Sequence, residues 1–109
     1  MEWLMPDIDY SKIKLSGVFF VDEIYSQNHA HMLHKHKELL ELLYIAEGSG
    51  RYLVGSREYA VSKGDFLIIN ANTIHGEAPF QKYTIRTYCC TLAGVSFKGF
   101  ALGEMMKRE

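Results

Sequence analysis

Cysteine is scarce in this sequence, and long apolar runs are missing. Cys89 and Cys90 are the two cysteines, and as neighbours on a strand they would point to opposite faces. We therefore expect no disulfide between them, and a reducing cytoplasm as the location. The longest apolar stretch, 39–46, contains Glu41 and is far too short to span a bilayer. The sequence starts with acids where a secretion signal needs a basic stretch and an apolar run, so we expect a soluble, cytoplasmic domain without membrane contact.

The sequence also lacks an excess of charge of either sign. It holds 12 Lys and Arg against 13 Asp and Glu, with a formal net charge of −1. Nucleic-acid binders usually carry a clustered basic patch, whereas the basic residues here are scattered and form no run longer than Lys107-Arg108. We expect no direct DNA or RNA binding by residues 1–109. A chain of 109 residues, 48% of them apolar, suffices for one domain with a modest core.

Glycine-containing turns divide most of the chain into short segments rich in β-branched and aromatic residues, which is typical of strands. The predicted strands are 17–25, 39–46, 51–54, 58–61, 66–69 and 83–92. The turns between them are predicted at 47–50, 55–56 and 62–65. Short strands at this spacing predict an all-β sandwich or small barrel. From Lys98 the apolar spacing changes to the period of a helix, so we predict the start of a short helix there.

A group of histidines and a carboxylate carries the clearest chemical signal. His34 and His36 are two residues apart, so on an extended strand both imidazoles leave the same face and can converge on one ion. Glu41 would face the other way on an unbroken strand, and a bulge or turn near Lys37-Glu38 would return it to the histidine side. His75 follows another predicted strand. Three imidazoles and a carboxylate suit a divalent Zn, Fe, Mn or Ni ion, although a histidine inside a barrel is often just hydrogen-bonded.

The spacing of these residues resembles the first motif of the cupin family. That motif consists of His-x-His, three or four residues, Glu, six residues and Gly. The matching residues are His34, His36, Glu41 and Gly48, with every spacing kept. The resemblance implies a double-stranded β-helix, also called a jelly-roll barrel, with the metal candidates inside it.

The second cupin motif is half present. It starts with Gly, has a Pro six residues on, a Gly two after that and then a His. Gly64 and His75 match, whereas Asn70 stands where the Pro would be and Asn72 where the second Gly would be. The closing Asn of the motif is replaced by Pro79. The histidine that would bind metal is kept, and the loop before it departs from the family pattern.

Within the cupins, the sequence resembles the amino-terminal sensor domain of AraC-type transcription regulators. The resemblance covers about residues 30–92 and is carried by 41–50, 59–70 and 74–75. It implies one cupin domain at 1–109, with an arm at 1–16, a barrel at 17–92 and the start of a helical linker at 93–109. It also implies a homodimer. Such regulators bind DNA through a carboxy-terminal helix-turn-helix domain, which this sequence does not include.

A small barrel of this kind has room for one small ligand, such as a sugar or an organic acid. We predict that the four metal candidates line its pocket together with Tyr44, Tyr52, Phe66 and Arg86. The aromatic rings would stack on the effector, and an inward Arg86 would hold an anionic group by paired hydrogen bonds. For each of these residues, packing in the core or exposure on the outer surface is the alternative.

Two functions of different classes remain open from the sequence. The first is a sensor domain that binds a small-molecule effector and passes its occupancy to a DNA-binding domain. The second is a small metal-dependent cupin enzyme, a dioxygenase or an isomerase. The sequence offers no evident acid–base residue beyond the metal candidates, which favours the sensor.

Overall fold

The computed structural model describes residues 10–22, 35, 37–78 and 85–107, and the structural statements below concern these residues. A 3-10 turn at Tyr10–Lys12 precedes the first strand. The strands are β1 Lys14–Val21, β2 Leu40–Val54, β3 Arg57–Ser62, β4 Phe66–Ile69, β5 His75–Glu77 and β6 Ile85–Ala93. All their pairings are antiparallel, so the predicted all-β class is confirmed. No helix in the described ranges is long and apolar enough to cross a membrane.

The long strand β2 is central because it belongs to two sheets. Its first half pairs with β6 on one side and β4 on the other, and β1 adds to β6, which gives the order β1-β6-β2-β4. Its second half pairs with β3 and β5. A strand that passes from one sheet into another folds the two sheets around a shared interior.

The continuity of β2 corrects the turn expected at 47–50. The register against β6 shifts between Ile45 and Glu47, which marks a β-bulge, and Gly48 has a φ of 82°. Glycine adopts this left-handed conformation without the steric cost of a side chain. The chain therefore bends here instead of reversing, and the two strands expected on either side of the turn are one strand.

The other predicted strands are present with small shifts in their bounds. β1 begins before the expected Gly17, β3 extends one residue beyond the prediction at each end, and β4 has the predicted bounds. The expected residues 23–25 of the first strand and 83–84 of the last strand lie outside the described part of the chain.

The alternation of side chains along the strands places the core between the two sheets. On β2, Leu43 and Ile45 are buried, and Tyr44 between them is exposed. On β6, Ile85 and Thr87 are buried in the same way. The buried apolar cluster consists of Leu43, Ile45, Tyr52, Val61, Ile69 and Ile85. Each large aliphatic side chain buried here contributes roughly 1.5–3 kcal/mol.

Residues 98–107 do not form the helix that the apolar spacing predicted. Gly99 and Gly103 have φ values of 89° and 80°, which end a helical turn. Gly103 is also tightly packed, because a Cβ atom there would lie 2.8 Å from the carbonyl oxygen of Glu38. The backbone geometry of two glycines therefore overrides the helical spacing, and this segment is a series of turns.

Candidate functional site

Glu41 and His75 meet in the protein interior. Glu41 Oε2 lies 3.2 Å from His75 Nε2, and the two side chains are 7% and 1% exposed. Ionisable side chains are rarely buried to this extent unless they are paired. A buried carboxylate beside an imidazole is a typical feature of sites that hold a proton, a ligand or a metal ion.

Strand pairing fixes the direction of both side chains. Glu41 on β2 lies between Ile69 of β4 and Thr91 of β6, so its backbone is held from both sides. His75 is the first residue of β5, where it pairs with Val54 near the end of β2. Both site residues are therefore carried by the same long strand or by its direct partner, which makes their contact a consequence of the sheet register.

The chain changes direction just before β2, where the sequence predicted a bulge or turn. Glu38 has a φ of 61°, which is uncommon for a residue with a side chain. This bend was expected to bring Glu41 to the same side as His34 and His36. Those two histidines lie outside the described residues, so the convergence of all four side chains stays a prediction.

The second ring nitrogen of His75 is held by the backbone. His75 Nδ1 lies 2.8 Å from the carbonyl oxygen of Thr73, and only an N–H at Nδ1 can donate to that oxygen. In the neutral ring, Nε2 would then turn a lone pair towards the carboxylate of Glu41. Two electron-rich atoms at 3.2 Å repel each other, so a proton on Nε2 or a metal ion is needed beside them.

The raised pKa of His75 also indicates that a positive charge is favoured at this position. Burial on its own lowers the pKa of this imidazole. The hydrogen bond and the negative charge of Glu41, helped by the Thr73 carbonyl, outweigh burial, so the pKa of His75 lies above its ordinary value of 6.5. The geometry therefore favours a cationic group at this position, either the imidazolium itself or a bound cation.

A metal ion fits this part of the site. Histidines that bind metals usually donate their other ring N–H to a carbonyl or carboxylate, as His75 does to Thr73. Within the described ranges, no group of three His, Cys, Asp or Glu side chains is placed to hold a metal. A complete metal site therefore depends on His34 and His36.

The structure separates the other four predicted pocket residues. Tyr52 points inward and is 5% exposed within the core cluster. Tyr44, Phe66 and Arg86 lie on the outer face, and Arg86 Nη1 is 2.7 Å from Glu47 Oε2. This corrects the expectation that these three line an interior pocket. The physical reason is that successive side chains of a strand point to opposite faces, and each of these three residues is next in sequence to an inward-facing residue.

Asn70 is a residue whose role the sequence analysis missed. Its buried side chain donates from Nδ2 to the Met106 carbonyl at 2.7 Å and accepts at Oδ1 from the backbone N–H groups of Met105 and Met106 at 3.0 Å. The departure from proline at this position was the available signal, because proline could make none of these bonds. Asn70 and His75 belong to the same short loop and strand start, so the loop joins the site to the carboxy-terminal segment.

A surface cleft of about 280 Å³ is lined in part by this loop. It is lined by residues that include Arg57, Tyr59, Asn70, Thr73 and Met106, and it contains neither Glu41 nor His75. Its polar side chains include no buried ionisable pair. The chemistry therefore points to the interior pair and not to this cleft.

Two antiparallel sheets that share a strand, with a glutamate and a histidine meeting between them, define a protein of the cupin class. A cupin protein of Bacteroides fragilis has a similar structure, with a TM-score of 0.53 over 72% of this chain and 66% of that one. The two sequences are 19% identical, so this likeness shows the fold alone.

The chain belongs to the family of AraC-like ligand binding domains, whose model matches residues 16–102. An uncharacterized protein of Methanocaldococcus jannaschii is 30% identical over 90 residues, which are 83% of this chain and 69% of that protein. The plu4264 protein of Photorhabdus luminescens aligns with a TM-score of 0.49 and 18% identity over 55% of this chain and 50% of its own. The chain thus spans about half the length of the Photorhabdus protein. Family membership points to the binding of a small-molecule effector and to sensing instead of catalysis.

Proposed function

We propose that the chain is the effector-sensing domain of a transcription regulator and that a small organic molecule binds beside Glu41 and His75. The buried contact between these two side chains carries the proposal. Ligand sites are mostly apolar and contain a few polar groups that fix the orientation of the ligand, and this pair supplies such groups within an apolar core. The match to a ligand-binding family supports the same function.

The two side chains suit an effector with hydroxyl or carboxylate groups. Glu41 accepts hydrogen bonds from hydroxyl groups, and the positive charge of a protonated His75, whose Nε2–H faces Glu41, attracts a carboxylate. Thr73 holds the imidazole in one orientation, so the pair is in place before the effector arrives. A sugar or an organic acid has the required groups, and a fixed imidazole lowers the entropic cost of binding it.

A divalent transition metal, Zn, Ni, Mn or Fe, would occupy the same place. His34, His36, Glu41 and His75 would hold it, and the ion would supply Lewis-acid positions for an effector oxygen. In either case the residues of this chain do the same work: Glu41 and His75 orient the polar end of the effector, and the surrounding core excludes water from it.

The loop from Asn70 to His75 provides a route for reporting occupancy. His75 and Thr73 lie at its end beside the site, whereas Asn70 at its beginning holds the backbone of Met105 and Met106. A shift of the loop on binding would move the carboxy-terminal segment. We place the DNA-binding helix-turn-helix domain of the cytoplasmic, homodimeric parent regulator after this segment.

The two candidate functions differ in whether the bound ligand is chemically converted: a sensor leaves it unchanged, and an enzyme does not. We would screen sugars and organic acids by thermal unfolding of residues 1–109, because a ligand at a hundred times its dissociation constant stabilises the fold by roughly 2.7 kcal/mol. Each ligand that stabilises the protein is then incubated with it, with and without added Zn, Ni, Mn or Fe, and analysed by mass spectrometry. The sensor returns the ligand unchanged. Catalytic conversion of a ligand would establish the alternative, a metal-dependent dioxygenase or isomerase.

A further inference from the structure

The surface cleft differs in chemistry from the interior pair and has walls from three parts of the chain. The first wall is the end of β2, the turn that follows and the start of β3. The second wall is the end of β4 with the loop between β4 and β5, and the third is formed by residues 106–107. Its volume of about 280 Å³ is close to the lower end of the range for small-molecule pockets, roughly 300–1,000 Å³. The cleft therefore has the size for one small molecule.

One backbone hydrogen bond and one buried side chain hold the three walls together. The N–H of Gly55 donates to the carbonyl oxygen of Ile74 at 2.8 Å, which joins the turn to the loop. The Asn70 side chain bonds to the backbone of Met105 and Met106, which joins the loop to the third wall. The walls are therefore positioned by the fold itself, and a ligand would not have to order them.

The charged residues that line the cleft are both cations. They are Arg57 on the first wall and Lys107 on the third, and both are exposed. Arg57 leaves β3 on the same face as Tyr59, whereas Glu58 between them points the other way and accepts a hydrogen bond from Arg51 Nε at 2.6 Å. None of the described residues that line the cleft is acidic, so the cleft presents positive charge from two of its walls.

Apolar side chains and hydroxyl groups form much of the remaining lining. Tyr59 and Met106 are 38% and 47% exposed, and Ile68 is half-buried. Ser56 and Thr73 each bring a hydroxyl group, which is able to donate to an anion. A lining of this composition fits a molecule that has an apolar body and a negatively charged end.

We propose that the cleft is a second binding site, separate from the interior pair, and that its ligand is a small organic acid with an aromatic body. The planar guanidinium of Arg57 suits a carboxylate, which it binds by two parallel hydrogen bonds, and Lys107 adds a second positive charge. The aromatic body would pack against Tyr59 and Met106. This inference does not depend on the sensor assignment.

Titration of residues 1–109 with phenylacetate, followed through the backbone amide signals in NMR spectra, tests the proposal. The amides that shift should lie in 54–59, 70–73 and 106–107. Phenylacetamide has the same body without the charge, so it should bind at least about tenfold more weakly. Inorganic phosphate has the charge without the body and should also bind more weakly. A phosphate affinity equal to that of phenylacetate would overturn the assignment to an organic acid.

Variants of single charged residues locate the site. Arg57→Gln should weaken phenylacetate binding by at least about tenfold. Lys63→Gln is the matched control, because it removes one exposed cation just after the other end of β3, outside the cleft, and should leave the affinity unchanged. Lys107→Gln tests the same site if Arg57→Gln does not fold, and it should also weaken binding. Glu41→Gln should bind phenylacetate as the wild type does.

The proposal is overturned if phenylacetate does not bind, or if phenylacetamide binds equally well. Equal phenylacetate affinity of the wild type, Arg57→Gln and Lys107→Gln would overturn it too. Binding that is lost in Glu41→Gln and kept in both cation variants would place the acid at the interior pair. That result would remove the second site and support the proposed function, so the two proposals fail separately.

Discussion

At the scale of single residues, the contact between Glu41 and His75 is expected to be worth more than the exposed ion pair between Arg86 and Glu47. The carboxylate and imidazole of the first pair are 7% and 1% exposed, whereas the side chains of the second pair are 43% and 58% exposed. Removing one partner of a buried pair leaves an uncompensated polar group, and removing one partner of a surface pair leaves a solvated one.

Glu41→Gln should therefore lower the free energy of unfolding by about 3 kcal/mol, and Glu47→Gln on the same strand by less than about 1 kcal/mol. Urea unfolding followed by tryptophan fluorescence or circular dichroism measures both values. Equal losses in the two variants would contradict the structural difference between the buried and the exposed pair.

Metal binding by the predicted set is tested by elemental analysis of the purified protein. If the four ligands form a complete site, the wild type should retain close to one equivalent of a transition metal, because three imidazoles and a carboxylate bind such ions tightly. The double variant His34→Ala/His36→Ala should lose it. The sequence offers a matched control in a second His-x-His pair, so His29→Ala/His31→Ala should keep the metal. No metal in the wild type, with unchanged melting on adding Zn, Ni or Mn, would leave the protonated His75 as the cation.

The thiol of Cys89 should react slowly near neutral pH. Burial raises the pKa of Cys89 from 9.0 to about 11, although a hydrogen bond with Thr87 lowers it slightly. Since the thiolate is the nucleophile, alkylation of Cys89 in a Cys90→Ser variant should be about a hundredfold slower than in the urea-unfolded chain. The rate should rise as the pH is raised towards 11. A folded-state rate equal to that of the unfolded chain would show that Cys89 does not lie in the interior.

At the scale of elements, the sequence predicted where strands form, but it did not predict that the segments 39–46 and 51–54 belong to one continuous strand. The segment Phe66–Ile69 has the bounds that its β-branched and aromatic residues predict. Glu47-Gly48-Ser49-Gly50 has the composition of a turn, yet it lies within β2 because β3 and β6 pair with it from both sides. Turn composition is a local signal, and pairing with distant strands overrides it.

In the carboxy-terminal segment, the sequence predicted a helix that the structure does not contain. Its apolar spacing suits a helix, but Gly99 and Gly103 have left-handed backbone conformations. In addition, the Asn70 side chain accepts hydrogen bonds from two backbone N–H groups of the segment and donates one to a backbone carbonyl. A side chain some 35 residues away in the sequence thus supplies hydrogen bonds that a helix would have supplied locally. Helical periodicity alone contains no information about such a partner.

Asn70→Ala should lower the free energy of unfolding by about 2–3 kcal/mol, because it leaves these buried backbone groups without a side-chain partner. Asn70→Asp keeps the acceptor for the N–H groups of Met105 and Met106 but puts a carboxylate oxygen in place of the donor to the Met106 carbonyl, so it should also lower the free energy of unfolding by about 1–3 kcal/mol. Asn72→Gly is the control: Asn72 is exposed with a φ of 61°, a conformation that glycine adopts readily, so its effect should stay within about 0.5 kcal/mol. Chemical unfolding of the three variants measures the series. An Asn70→Ala variant as stable as the wild type would contradict the stabilising role of the Asn70 hydrogen bonds.

At the scale of the whole molecule, the motif spacing pointed to one contact that the structure contains, whereas the face occupied by the aromatic residues could not be predicted from the sequence. The motif spacing identified Glu41 and His75, and the structure brings them together. β2 is apolar on both faces, so the sequence could not tell whether Tyr44 faces the core or the solvent. The pairing of β2 with β4 and β6 decides this, and it places Tyr44 on the outer face of the sheet.

The central claim is that the effector binds beside Glu41 and His75, and titration calorimetry tests it most directly. A sugar or organic acid that stabilises the wild type is titrated into the wild type, Glu41→Gln and the control Glu47→Gln. Loss of a buried charged hydrogen bond should weaken binding to Glu41→Gln by about tenfold to a hundredfold, and Glu47→Gln should bind as the wild type does. Equal affinity of all three proteins for the ligand would contradict the account, because the ligand would then bind away from the Glu41–His75 pair.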